Sequence, residues 1–292
     1  MNFTLRQLAI FEATARLGRL TLAAEEQAIS QSAASQAVTE LERQMGLALF
    51  ERRGRELVLT SAGRDRLPQV RLILSDCQRL AEGLGDDLAG QLRIAASTTI
   101  ACYVIPGVLA RLTEQHPGIR PAIDIQNTRG VLQQLETGQA QIGLIEGPAV
   151  HDYLQIRRWQ EDRLALFVTP GHPLAHETQV SVEQLETLDW IVREPGSGTR
   201  EVFDTAMQAA GMQPKIRLTL SRQEAIKQAV LSGLGAGCLS HLSLDADGSG
   251  RFVPLNTDLT LVRSFSWVCS PEAIKSPLVQ AFMKALNPMH QP

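Results

Sequence analysis

Two short segments concentrate side chains suited to binding chemistry. Ala96-Ser97-Thr98-Thr99 sets three adjacent hydroxyls at the end of a strand-like run, immediately before a helical stretch containing Tyr103 and Ile105. Hydroxyls beside the unpaired N–H groups of a helix start suit an anion, because the partial positive charge and the orphan donors both favour negative oxygen. Plain N-capping accounts for one hydroxyl well and for three less well. Arg193-Glu194-Pro195-Gly196-Ser197-Gly198-Thr199-Arg200 repeats the arrangement, again between a strand and a helix, with glycines that let backbone wrap closely around a ligand. Ser197, Gly198 and Thr199 offer neutral donors, and Arg200 adds charge if it turns inward. Glu146, in Ile145-Glu146-Gly147-Pro148, has two readings. It faces the same cleft, accepting a hydrogen bond from a proton-bearing ligand and rejecting fully ionised competitors, or it pairs with a nearby arginine.

Other chemistries lack their residues. The 193–200 loop has no lysine followed by Ser or Thr, so it is not a Walker A loop, and Gly233-Leu234-Gly235-Ala236-Gly237 reads as a helix-to-strand turn. Pro173 breaks the helix that would align His172 and His176 as metal ligands. Cys77, Cys102, Cys238 and Cys269 are scattered without a Cys-x-x-Cys pair, which points to reduced, mostly buried thiols. No nucleophile, base and acid set stands out. The expectation is a non-enzyme with no cofactor and no metal.

A second group of polar residues lies near the N-terminus. Ser30 is placed to cap a helix over about Gln31 to Met45, with Ala34, Val38, Leu41 and Met45 on one face and Ser32, Ser35, Gln36, Thr39 and Arg43 on the other. Small hydroxyls and the Gln31 and Gln36 amides approach base edges in a major groove without steric conflict. Two strand-like runs then flank Gly54 and carry Arg52, Arg53 and Arg55, suited to phosphate or minor-groove contacts. Taken alone, each feature also fits an ordinary solvated helix face or turn.

The elements that must position these residues divide the 292-residue chain into three parts. Residues 1–64 read as a winged helix-turn-helix, with helices from Leu5 to Leu17, stopped by Gly18, and from near Thr21, where Leu22, Ala23 and Ala24 pack inward. Residues 65–89 read as a connecting helix capped by Thr60 or Ser61. In it Leu67, Val70, Leu74, Cys77, Ala81 and Leu84 recur at three- and four-residue spacings, as in a dimerising coiled coil; packing on its own domain is the alternative. Residues 90–292 alternate short β-branched runs with amphipathic helices, the pattern of parallel sheets with crossovers. The net charge of −3 leaves DNA affinity to a local basic footprint. The opening residues lack an export leader, so a cytoplasmic protein without a membrane partner is expected.

The motifs Thr21-Leu22-Ala23-Ala24-Glu25, Ser30-Gln31-Ser32-Ala33-Ala34-Ser35, Leu41-Glu42, Leu49-Phe50-Glu51-Arg52 and Leu59-Thr60-x-x-Gly63 closely resemble the LysR-type transcriptional regulators. The resemblance runs over the whole chain. It implies an all-α winged helix-turn-helix joined by a dimerising helix to an α/β effector domain of two lobes, like a type II periplasmic binding protein. Lobe I would span about 91–161 and 267–292, and lobe II about 162–266. It also implies tetramers built from dimers on promoter DNA, with RNA polymerase as a further candidate partner. Glu194 to Arg200, Glu224 to Val230 and Ile145 to Pro148 resemble the branch containing regulators of carbon fixation and sulfur assimilation. That branch implies a small anionic effector, with sulfite or sulfate favoured over a phosphorylated metabolite. A ligand-binding transport protein accounts for the C-terminal lobes but leaves residues 1–89 unexplained. A nucleotide-dependent enzyme lacks complete phosphate motifs.

Overall fold

The computed structural model describes residues 3–53, 56–82 and 88–286. The first unit packs α1 (Leu5–Leu17), α2 (Leu20–Glu26) and α3 (Gln31–Met45) around Leu8, Phe11 and Leu41. Thr4 and Gln7 form a capping box at the start of α1, and Gly18 ends it in the left-handed region at φ 67°. Ser30 caps α3 by accepting from the Ala33 N–H at 3.2 Å. Ala23 and Ala24 are buried in α2, whereas Leu22, expected to pack inward, is exposed.

The antiparallel wing, β1 (Phe50–Arg53) and β2 (Glu56–Leu59), is tied to α3 by Glu42. Its Oε1 accepts from the N–H groups of Leu49 and Phe50 at 2.8 and 3.1 Å. Thr60 Oγ1 donates to the Ala48 carbonyl and accepts from the Gly63 N–H, so it caps α4 (Ser61–Glu82) while anchoring the wing. A β-carbon on Gly63 would overlap the Leu49 carbonyl oxygen and crowd Leu59, which explains the glycine three residues after Thr60.

Three of the residues expected at a coiled-coil seam along α4 pack inward instead. Leu67 and Val70 are buried with Leu8 and Phe11, and Leu74 packs partly against them, so these three belong to the unit's own core. Spacings of three and four serve a helix packed on its own domain as well as a paired one, so periodicity does not distinguish them. Among the described side chains of α4 the exposed apolar ones are Ile73 and Leu80, at 37% and 73%, with half-buried Cys77 between them at the same alternating spacing. The Ala81 side chain and Leu84 lie outside the described residues.

The remaining chain supplies β3 (Gly90–Ser97), α5 (Thr98–Tyr103), α6 (Ile105–Gln115), β4 (Ile119–Gln126), α7 (Thr128–Glu136) and β5 (Ile142–Glu146). It continues through β6 (Gln155–Val168), α8 (Val182–Glu186), β7 (Asp189–Arg193), α9 (Gly198–Ala209), β8 (Lys215–Leu220) and α10 (Gln223–Leu231). It ends with β9 (Ala236–Ser240), α11 (His241–Asp245), β10 (Val253–Pro254), β11 (Val262–Cys269) and α12 (Pro277–Leu286). The strands run β4-β3-β5-β11-β6-β9-β7-β8, with β10 beside β6. Parallel pairs at both flanks are joined by the antiparallel pair β6 and β11, which crosses from one lobe to the other.

Each lobe has its own core, one around Leu92, Ile142, Phe265 and Phe282, the other around Leu164, Trp190, Phe203 and Leu261. Along the segment entering β11 the side chains change core between Leu261 and Phe265. This precedes the expected 266/267 boundary because β11 already pairs with β5 at Phe265, opposite Glu146.

Gly63→Ala should destabilise the first unit by about 1–3 kcal/mol through overpacking, read as an earlier denaturant midpoint. An unchanged midpoint would mean that the Leu49 turn yields freely.

Candidate functional site

The strand and helix ends of the two lobes converge on one buried guanidinium. Arg263, whose side chain has 0% exposure, sits on β11 at the crossing point, directly opposite Asp162 of β6 in the ladder. Its Nε donates to Asp162 Oδ2 at 2.7 Å, and its Nη1 donates to Glu146 Oε2 at 2.6 Å and Thr199 Oγ1 at 2.8 Å. Its Nη2 donates to Thr99 Oγ1 at 3.0 Å. Glu146 and Thr99 come from lobe I and Thr199 from lobe II, so one side chain bonds both lobes and the crossing pair.

The surrounding groups complete the network. Glu146 Oε1 accepts from the N–H groups of Thr99 and Ile100 at 2.6 and 3.3 Å, doing at the start of α5 what a capping side chain does elsewhere. Thr99 Oγ1 also accepts from Gln223 Nε2 at 2.8 Å, and Ser240 Oγ donates to the second oxygen of Asp162 at 2.8 Å. Thr128 Oγ1 donates to the Glu146 carbonyl and lies 3.4 Å from Ser97 Oγ. Such satisfaction is what burial demands, since an unpaired charge in this position is prohibitively costly.

Backbone contacts close the lobes around it. A β-carbon on Gly198 would overlap the Glu146 carbonyl oxygen, and Gly147, at φ 81°, faces Gly198 across the same gap. The glycines of the 193–200 loop thus accommodate lobe I itself. The Arg129 N–H donates to the Gly196 carbonyl, Asn127 Nδ2 to Glu194, and Tyr103 to Ser243, each from lobe I to lobe II. Burial raises the Glu194 carboxyl, but its bonds to Arg193 hold it below the usual range overall, so it remains an acceptor for Asn127.

The expected site residues divide as follows. Ser97, Thr99, Glu146, Ser197, Gly198 and Thr199 are buried around this network, and Thr98 is half-buried beside it. Of the two readings of Glu146, the structure shows the pairing with an arginine, Arg263 at 2.6 Å, where the lobes meet. Arg200 does not turn inward: its guanidinium binds Asp204 at 2.8 Å and the Arg193 carbonyl, and Arg263 supplies the charge instead. Sequence reasoning passed over Arg263, Asp162 and Gln223. The available signal was a lone arginine within the strand-like run Leu261-Val262-Arg263-Ser264-Phe265-Ser266-Trp267-Val268.

On α3, Gln31, Ser32, Gln36 and Thr39 are exposed, Ser35 is half-buried, and Thr39 Oγ1 donates to the Ser35 carbonyl. Ser32, Ser35, Gln36 and Thr39 line a shallow concave surface together with Gln7. Glu40, at its edge, is held down to about 2 by hydrogen bonds from Arg43 and Gln44. Arg52 on the wing is exposed. Arg55 and the Arg53 side chain lie outside the described residues. Cys238 and Cys269 are buried, with desolvation pushing both thiols up to about 12. Among the described residues there is no metal-ligating cluster and no helix long and apolar enough to cross a membrane.

Residues 5–64 match the model of the bacterial regulatory helix-turn-helix proteins of the LysR family, and residues 85–290 match the LysR substrate binding domain. The chain belongs to the LysR family of transcriptional regulators. It is 38% identical to the uncharacterized regulator YeiE of Escherichia coli (strain K12) over 240 residues, covering 82% of this chain and 81% of that one. It is 36% identical to the RuBisCO operon transcriptional regulator of Allochromatium vinosum, covering 88% and 86%. A full-length OxyR variant from Pseudomonas aeruginosa shares the fold over 100% of both chains, with TM-score 0.76 at 20% identity. The regulatory domain of CcmR from Synechocystis PCC6803, solved in complex with 2-PG, covers 68% of this chain and 95% of its own, with TM-score 0.63 at 26% identity. The family and these relatives are regulators of transcription, not enzymes.

Arg263→Met should destabilise this LysR-family regulator by about 3–5 kcal/mol, because two buried carboxylates lose their counter-charge. The triple change Glu146→Gln, Asp162→Asn, Arg263→Met should recover most of that in urea unfolding. Equal loss in both variants would show that shape, not charge balance, holds the crossing point.

Proposed function

We propose that this LysR-type regulator reads promoter DNA through α3 and the β1–β2 wing, and that a small oxyanion in the cleft around Arg263 sets its regulatory state. The observation that carries the effector reading is a fully buried guanidinium flanked by hydroxyls from both lobes, Thr99 and Thr199. Thr98, Ser97 and Ser197 add neutral donors. Glu146 already holds the Thr99 and Ile100 N–H groups. A ligand bearing a proton, as hydrogensulfite does, donates to this carboxylate while accepting from the hydroxyls, whereas sulfate, fully ionised at neutral pH, is held by the hydroxyls and the Arg263 guanidinium alone. Sulfite or sulfate is the leading effector, on the motif resemblance to sulfur-responsive members. A phosphorylated metabolite is the second reading, supported by similarity to the RuBisCO operon regulator and to CcmR, whose domain was solved with 2-PG.

A ligand shifts the regulator only by binding its lobe arrangements unequally. Contacts to Thr99 on one lobe and Thr199 on the other give that difference, since both are satisfied only when the lobes are closed. Dimers form through Ile73, Cys77 and Leu80 of α4, which places two readers on one DNA site and multiplies weak individual contacts. Gln31, Ser32, Ser35, Gln36 and Thr39 face the bases, while Arg52, Arg53 and Arg55 contact the backbone. Such a regulator works in the cytoplasm.

Calorimetric titration of the full chain with sulfite, sulfate, thiosulfate, phosphate and a phosphorylated sugar tests the effector reading. Selective binding of sulfite or sulfate, weakened about tenfold (~1.4 kcal/mol) by Thr98→Ala or Thr199→Ala with DNA affinity unchanged, is the expected result. Preference for the sugar phosphate moves the assignment to carbon metabolism, and no binding removes the oxyanion. On DNA, Arg53→Ala should weaken binding across sequences and reduce the salt slope by about 1, whereas Gln36→Ala should alter base preference. Unchanged binding in both variants would remove the reader assignment.

A further inference from the structure

A second charge cluster lies where the DNA reader meets lobe I of its own chain. Glu12 of α1 is 13% exposed and is shared by three guanidiniums. Its Oε1 accepts from Arg71 Nε and Nη2 of α4 at 3.1 and 3.0 Å and from Arg93 Nη2 of β3 at 3.1 Å. Its Oε2 faces Arg16 Nε at 3.4 Å, and Arg16 is also held by Glu26. Burial opposes the ionised carboxylate, but Arg71, Arg93 and Arg16 outweigh it and hold Glu12 below the usual range. Desolvation lowers Arg71 to about 10, which still leaves it charged at neutral pH.

Arg71 and Arg16 belong to the reader and its helix, whereas Arg93 belongs to lobe I. Steric fit supports the same junction. Gly138, at φ 69° in the turn between α7 and β5, seats Leu67 and Arg71 of α4 where a β-carbon would overlap Leu67. Gln141, at the end of that turn, is locked to Arg93 by two bonds, its side-chain oxygen accepting the Arg93 N–H at 2.9 Å and its own N–H donating to the Arg93 carbonyl at 2.9 Å. Arg93 stands four residues before Ser97 on β3, about 13 Å at strand rise. One end of the strand thus holds the reader and the other carries the hydroxyls of the cleft.

We infer that Glu12 is a latch that docks the DNA reader on lobe I of its own chain through Arg93, making β3 the connection between the cleft and the reader. The latch does not depend on which effector the cleft takes. Because one carboxylate serves three guanidiniums, removing it leaves mutually repelling cations, so the dock opens while both units stay folded.

Hydrogen exchange on the full-length protein tests this at the 138–141 turn and the N-terminal half of β3. Glu12→Gln and Arg93→Met should each speed exchange there at least tenfold, with the lobe cores around Ile142 and Trp190 unchanged. Glu12→Arg combined with Arg93→Glu restores one carboxylate to the cluster and should restore protection. Arg16→Gln, which removes a guanidinium from the same carboxylate but touches only the reader, should leave the turn unchanged. Unaltered exchange in Glu12→Gln and Arg93→Met, or equal loosening in Arg16→Gln, would overturn the latch. Loss of protection throughout the reader in Glu12→Gln would also overturn it, assigning Glu12 to the reader's own stability.

Discussion

A guanidinium removed from water must find every partner inside the protein, and Arg263 finds them on both lobes and on the strand beside it. Asp162 and Glu146 supply its counter-charge, and Thr99 and Thr199 each accept a further N–H. This demand fixes the register of β6 against β11, places the end of β5 beside the start of α5, and brings α9 against lobe I. It also explains two glycines. Gly147 and Gly198 allow the backbone approach that brings Glu146 and Thr199 onto the same nitrogen.

The same interaction gives the cleft a means of response. A buried pair contributes little net stability, because desolvation offsets the Coulombic gain, yet it penalises every arrangement that leaves a partner unmet. In the proposed function, an arriving oxyanion competes for donors already engaged, so its binding energy goes into rearranging contacts between lobes. Such an exchange of partners is how a small ligand selects between two packings of a rigid protein. The Glu12 cluster has the same construction at the other end of β3, with guanidiniums in excess where Arg263 has carboxylates in excess.

Much of this was legible in the sequence. Gly18, Ser30 and Thr60 mark helix boundaries through local chemistry, and the hydroxyl loops at 97–99 and 197–199 announce themselves because strand ends preceding helices carry few alternatives for so many donors. What escaped was long-range. Arg263 and Asp162 lie about a hundred residues apart in the chain, and a lone charged residue in a strand reads as solvent-facing unless its cross-strand neighbour is known. Arg200 was the nearer candidate cation, but helical geometry brings it to Asp204, one turn on. The apolar repeat of α4 was read as a dimerising seam, with packing on its own domain as the alternative. Its partner over Leu67, Val70 and Leu74 is the reader's own core, and the exposed stripe through Ile73 and Leu80 lies beside it.

The most direct test is crystallographic. Crystals of the full-length protein grown with selenite, a heavier analogue of sulfite, would locate the anion by its anomalous scattering. The expected result is a selenium peak within hydrogen-bond reach of Thr99, Thr199 and the Arg263 guanidinium, with the Glu146 carboxylate moved from its present bonds. A peak elsewhere, with the Arg263 network intact, would contradict it.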